Sequence, residues 1–327
     1  MKSTSQPVRR ALVLGLIATS TVASQVYAQA YPSRPIKFII PFTAGSSTDI
    51  MGRALAERMT LSMGQPIIIE NRPGAGGTIA AAAVAKADPD GYTVLVHSGS
   101  HAINPAIYKD LAYDTLKDFV SVAGLGSVPN ILITTPGRYK NLADLVATVK
   151  AKPPLSFNYA SAGIGTATHL SAEKFLLSSQ LEIQHVPFKG SPEAITEVAA
   201  GRLEFYMAPI NAALPLIKDG RVTALASSGS KRSPSLPEVA TTLELGFPDS
   251  DFPLWAGAFL PSKTPEAIVK RLHDEFIKAA NTPEVKERYL RTGTDPMLLS
   301  QPDFDAFVRK EIDIAAKIAK RAKMAIQ

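Results

Sequence analysis

From residue 36 onward, short and almost wholly apolar runs alternate with longer stretches whose apolar positions recur every three or four residues. Segments 36–42 (IKFIIPF), 66–70 (PIIIE) and 92–97 (YTVLVH) are brief and rich in β-branched residues, the pattern of strands buried on both faces. Segments 49–63 and 76–87 between them read as helices. A second series follows, with strands expected at 131–135, 156–160, 182–186, 203–207 and 222–227. Its helices are expected at 141–151, 166–179, 191–200 and 210–218. Ser191-Pro192-Glu193 carries a helix-start signal: a capping hydroxyl, proline in the first turn and an acid near the positive end of the dipole. Two βαβ series predict an α/β chain of two lobes, each a doubly wound sheet.

The tail reads as helical. Thr264-Pro265-Glu266 opens a helix with Ile268, Leu272 and Phe276 on one face. Segment 283–291 is a shorter helix, and 302–325 a long one striped by Phe304, Phe307, Val308 and Ile312. The chain is expected to cross into the second lobe near 128–130 and to return near 251–255, through a proline-rich extended stretch. Residues 31–128 and 254–327 then form one lobe and 129–253 the other.

Residues 1–28 stand apart from this pattern. Lys2, Arg9 and Arg10 precede an apolar run, 11–18 (ALVLGLIA), that is too short to span a bilayer. Small and polar residues follow, with small-x-small sites ending at Ala28 and Ala30. This is the order of a secretory signal peptide, cleaved after Ala28 or Ala30, and it predicts a periplasmic protein. Val8 and Ala11 flank the arginine pair poorly for a twin-arginine signal, so general secretion is expected. Of 35 Lys and Arg, three lie in this segment with none of the 29 Asp and Glu, so the formal charge of +6 drops to +3 on cleavage. Such a balance gives no support to a nucleic-acid surface. With no cysteine there is no disulfide framework, no lipid-anchor cysteine and no thiolate metal site. The basic end of the last helix (Lys317, Lys320, Arg321, Lys323) complements its dipole.

Candidate chemistry lies in two similar turns. Segment 39–50 (IIPFTAGSSTDI) runs from a strand through Thr, Ala, Gly and Ser residues into a helix near Asp49. Segment 158–170 (NYASAGIGTATHL) repeats the design with Ser161, Gly163, Gly165, Thr166 and Thr168. The dinucleotide fingerprint needs a third glycine where Thr168 stands. Each turn instead offers backbone N–H groups and hydroxyls at a helix N-terminus, beyond the carboxyl end of a strand, a site suited to a small anion. Two such turns, one per lobe, predict opposing jaws that close by a hinge on a carboxylate. No nucleophile elbow, P-loop or H-E-x-x-H motif is present, and no catalytic residue, metal site or cofactor is expected. His97 and His101 are four apart, but Pro105 and the run HSGSHAINP argue against a helix there. Two other functions remain open, a sensor module that presents its ligand to a membrane kinase and, more remotely, an exported enzyme.

The segments YPSRPIKFIIPFTAGSSTDI, GQPIIIENRPGAGGTIAAAAVAKADPDGYT, HAINPAIY, NYASAGIGTATHL, HVPFKGSPEAITEVAAGRLEF and ALASSGSKRSPSLPEV, in this order, resemble the extracytoplasmic solute receptors of tripartite tricarboxylate transporters, the Bug receptors. The resemblance runs along essentially all of the chain after the leader. It implies a two-lobe Venus-flytrap fold of the periplasmic binding type, a monomer that binds a small organic acid and passes it to membrane transporter subunits. Carried over, it implies a first jaw of Phe42, Thr43, Ala44, Gly45, Ser46, Ser47 and Asp49 and a second of Ser161, Ala162, Gly163, Gly165, Thr166 and His169. Ser98 is expected to line the cleft between them. Asp49 is expected to cap its helix, and His169 to be an internal hydrogen-bonding residue. Arg72, in the NRPGAGG turn, is expected to be structural. Two departures stand out. Ser46 replaces a glycine common in relatives. Ala208, beside Tyr206, replaces an aspartate found in many, which points to a less polar ligand such as an aliphatic or aromatic acid.

Overall fold

In the computed structural model, which describes residues 31–322 and Met324, the apolar runs assemble into two five-stranded mixed sheets. The first contains β1 (Ile36–Ile40), β2 (Ile67–Asn71), β3 (Thr93–Ser98), β4 (Phe119–Val128) and β10 (Leu254–Pro261), in the order β2-β1-β3-β10-β4. The second contains β5 (Asn130–Thr134), β6 (Asn158–Ser161), β7 (Gln184–Pro187), β8 (Phe205–Pro209) and β9 (Thr223–Ser227), in the order β7-β6-β8-β5-β9. Both follow one plan. A parallel trio (β2-β1-β3, β7-β6-β8) is extended by two strands, the first of which runs antiparallel to both its neighbours.

Helices α1 (Ser47–Met63), α2 (Thr78–Ala85) and α3 (Ser100–Ile107) follow the parallel strands of the first sheet. In the second series come α4 (Leu142–Lys150), α5 (Ala167–Ser179), α6 (Ser191–Ala199) and α7 (Ile210–Lys218). The tail forms α8 (Glu266–Ala280), α9 (Pro283–Thr292) and α10 (Gln301–Arg321), which pack on the first sheet through Leu272, Phe276, Phe304 and Val308. Among the described residues no helix is long and apolar enough to cross a membrane. The leader lies outside the described residues, as do Lys323 and the end of the last expected helix.

Three expectations need correction. Residues 100–107 are helical despite Pro105. A proline in a helix leaves the carbonyl four residues back without its donor. Here that carbonyl, of His101, accepts from the Thr115 hydroxyl at 3.4 Å. The return of the chain at residue 254 is a strand, β10, not merely an extended crossover, and it sits between β3 and β4. At the start of α6 the capping position is Gly190. Ser191 is the first helical residue, and its hydroxyl bonds the Tyr206 hydroxyl at 3.1 Å.

Two crossings join the sheets, at Pro129 and just before Leu254. They are tied side by side: Asn130 donates its side-chain amide to the Phe252 carbonyl (2.9 Å), and the Phe252 N–H donates to the Ser228 carbonyl (3.0 Å). The carboxyl ends of β1, β3, β6 and β8 face each other across the seam between the sheets.

A hydroxyl-lined cavity where four helices begin

The first loop runs from β1 into α1 and is fastened from behind by Asp49. That carboxylate, 2 % exposed, accepts from the Gly45 N–H, the Arg53 guanidinium and the Asn71 side-chain amide, each at 2.9 Å. Burial pushes the carboxyl up, but the hydrogen bonds from Arg53, Gly45 and Asn71 outweigh it and hold Asp49 below the usual carboxylate range. Asn71 also donates to the Phe42 carbonyl (2.9 Å), so both ends of the loop hang on one network. Gly45 has φ +82°, a left-handed conformation that favours glycine.

The second loop runs from β6 into α5 and turns through Gly163 and Gly165, both at positive φ. Ser161 accepts from the Gly163 N–H (3.0 Å) and bonds His185 Nε2 (2.6 Å). Thr166 caps α5 by accepting from the His169 N–H at 3.4 Å. Thr168 accepts from the Ala162 N–H at 3.0 Å. His169 Nδ1 accepts from the Gly165 N–H (3.2 Å), so that nitrogen carries no proton. The His169 and His185 rings stack 3.9 Å apart. Burial pushes both imidazoles down, His185 to about 4, and the neighbouring ring adds to the effect on His169.

Between the loops lies a cavity of about 10 Å³, room for a single water. The N-termini of four helices meet there: Ser47 and Thr48 of α1, Ser100 of α3, Ala167 and Thr168 of α5, and Ser191 of α6. Phe42, Ser46, Ser98, Ala162, Thr166 and Leu254 complete the wall, so no charged side chain lines it. Helix N-termini carry partial positive charge and unsatisfied N–H groups, which together favour an anion. Helix α1 has no side-chain cap of its own, because the Ser46 hydroxyl accepts from the Ser191 N–H (3.2 Å) across the seam. The buried Ser47 hydroxyl has no hydrogen-bond partner among the described residues.

The same seam is bridged elsewhere by direct bonds. The Ala167 N–H donates to Ser100 (3.2 Å), Thr43 donates to Glu193 (3.0 Å), and the Tyr108 hydroxyl donates to the Ile164 carbonyl (3.0 Å). Gly190 passes so close to the first loop that a Cβ there would lie 2.0 Å from Thr43 Oγ1 and 2.6 Å from Ser46 Oγ.

A family model described as the tripartite tricarboxylate transporter family receptor matches residues 51–324. The chain belongs to that family. It is 35 % identical to protein BugT of Bordetella pertussis over 312 residues, covering 94 % of this chain and 95 % of BugT. Among solved structures, the periplasmic binding protein BugD superposes with a TM-score of 0.87 at 28 % identity, over 91 % of this chain and 100 % of BugD. Rpa4515 of R. palustris, solved with adipate, gives 0.87 at 33 % identity, over 90 % of this chain and 99 % of that one. The fold is therefore that of a two-lobe periplasmic binding protein.

Of the residues assigned to the two jaws of this receptor, the structure brings Phe42, Ser46, Ser47, Ser98, Ala162 and Thr166 together on the cavity wall. Gly163 lines a neighbouring space. Thr43, Ala44, Gly45, Ser161 and Gly165 shape the loops or bridge the lobes without lining the cavity. Tyr206 stands behind Ser191, and Ala208 is wholly buried in β8 opposite Ile131, so neither reaches the wall. Arg72 pairs with Glu70 at 2.6 Å. Thr48, Ser100, Ala167, Thr168, Ser191 and Leu254 complete the wall. Thr168 and Ser191 are visible in the sequence as hydroxyls at helix starts, and Ser100 is hidden by the loop expected around Pro105. His97 and His101 lie fully buried among Phe42, Tyr113, Phe119 and Phe259, and burial pushes His101 down to about 3.

Proposed function

We propose that this receptor captures a small organic carboxylate between its lobes in the periplasm and, as a monomer, delivers it to the membrane subunits of a tripartite transporter. The observation that carries this reading is the uncharged, hydroxyl-lined cavity at which four helices begin. A carboxylate there accepts charge-assisted hydrogen bonds from N–H and O–H donors, and the dipoles compensate its charge without an arginine or lysine. The adipate in Rpa4515 supports the ligand class. The lobes are residues 31–128 with 254–327 and residues 129–253, a division supported by sheet membership. Residues 1–28 are the export leader. Binding without transformation is the reading supported by the receptor family to which the chain belongs.

Since the cavity has room for only about one water, the lobes part at the two tied crossings to admit ligand and close again upon it. Calorimetry on matched acid, methyl ester and amide tests the mechanism. The acid is expected to bind at least about tenfold tighter, because each charge-assisted bond is worth roughly 1.5–3 kcal/mol. Equal affinities would overturn it.

A further inference from the structure

A separate cavity lies where the chain crosses between the sheets. It measures about 190 Å³ and shares no residue with the hydroxyl-lined cavity. The side of the first sheet contributes Val128 of β4, Leu290 of α9 and Asp295, whose backbone pairs with that of Ser127 in both directions at 2.8 Å. The side of the second sheet contributes the loop after β9, residues 229–235, and the crossing residues Pro129 and Pro253 stand in the wall as well. The loop lies tight on the first crossing: a Cβ at Gly229 would be 2.8 Å from the Lys231 carbonyl oxygen and 3.3 Å from Pro129 Cβ. Further on, the Ser235 hydroxyl donates to the Leu290 carbonyl at 3.2 Å. Walled from both sides, the cavity keeps its shape only while the sheets keep this relative position.

Three charged side chains line it. Arg232 is committed, since its Nε donates to both carboxylate oxygens of Glu244, at 3.1 and 2.9 Å. Lys231 and Asp295 are not. Among the described residues neither forms an ion pair within 4.0 Å, with the other or with any third group. A cation from one side and an anion from the other thus share a cavity with apolar wall and do not neutralise each other. An apolar cavity of about 150 Å³ takes up benzene, so this one has room for a body of about six carbons. We infer that it binds a small zwitterion, with the carboxylate toward Lys231, the ammonium toward Asp295 and an apolar chain of about four to six carbons along Val128, Leu290 and the crossing prolines. Such a ligand touches both sides at once, so it favours the arrangement of sheets that forms the cavity and braces it. The site stands whatever the seam binds, whereas the bracing rests on the proposed parting of the lobes.

The chain has no cysteine, so a trifluoromethyl tag on Ser230→Cys reports this cavity alone by fluorine NMR. The tagged receptor is titrated with 6-aminohexanoate, hexanoate and hexylamine, at low and high salt. The zwitterion should shift the tag at a concentration about two- to fivefold lower than either singly charged probe, the effect of one ion pair near solvent, and salt should narrow the gap. Lys231→Ala should abolish its advantage over hexylamine and Lys231→Arg should keep it, while Asp295→Asn should abolish its advantage over hexanoate. A tag that 6-aminohexanoate leaves unmoved would overturn the site, as would advantages that survive both Lys231→Ala and Asp295→Asn. Saturating 6-aminohexanoate alone should also lower the radius of gyration in small-angle scattering. A shifted tag with an unchanged radius would overturn the bracing and leave the site.

Discussion

Asp49 shows how one buried side chain decides the shape of a binding loop without touching what the loop binds. Three donors converge on it, from Gly45, Arg53 and Asn71. Asp49→Ala should therefore cost roughly 2–4 kcal/mol of stability in urea denaturation, since it strands buried donors around a lost charge. Ligand affinity should fall as well, because the first loop loses its fastener. Because the folded carboxyl titrates below its unfolded value, its contribution is complete above about pH 4. It fades as pH falls through the folded pKa. Ala208 teaches the opposite lesson. Its place in β8, paired with Ile131 and wholly buried, is that of a packing residue and gives no support to a less polar ligand.

At the scale of elements, the parallel trios were legible because their strands are short β-branched runs with Gly and Ser turns before the next helix. Strands β4 and β10 were not. Residues 119–128 read FVSVAGLGSV, and Gly124 and Gly126 lower its strand signal. Those glycines are required by packing, since a Cβ at Gly124 would lie 2.3 Å from Met297 Sδ. That contact joins residues 173 positions apart, which no local pattern reports. The loops of the site were legible for a related reason: their Gly and hydroxyl residues meet purely local demands of backbone geometry and capping. Which of them face the cavity depends on the other lobe. The stacked histidines of α5 and β7 give a further test. His185 titrates near 4 when folded and near 6.5 when unfolded, so between those values the unfolded chain takes up the proton. Stability should fall as pH drops from about 6.5 to 4, by on the order of 3 kcal/mol at about 1.4 kcal/mol per unit, and His169 acts in the same direction. Urea midpoints across this range should show the slope, and His185→Gln should flatten it. A variant profile parallel to the native one would place the titration elsewhere.

For the molecule as a whole, the proposed function needs the lobes to meet, and Gly190 packs tightly against the first loop at their seam. Its φ of 176° is open to any residue, so the demand for glycine is purely one of space against Thr43 and Ser46. Gly190→Ala should act as a wedge. Its melting temperature should change little, since neither lobe's interior is disturbed, yet ligand affinity should drop at least about tenfold. Small-angle scattering with saturating ligand should show a larger radius of gyration than for the native receptor. Native affinity in this variant would mean that the seam yields at no cost.

The position of β10 has a consequence of another kind. This strand lies in the middle of the first sheet, bonded to β3 on one side and β4 on the other, but it is made about 130 residues after β4, once the whole second sheet has been laid down. Until residue 261 is available, β3 and β4 have no strand to join them and their facing edges stay unpaired. Pairing over so long a loop is slow. A chain synthesised from its N-terminus thus keeps its first sheet unfinished until β10 has been made, with the whole second sheet already complete.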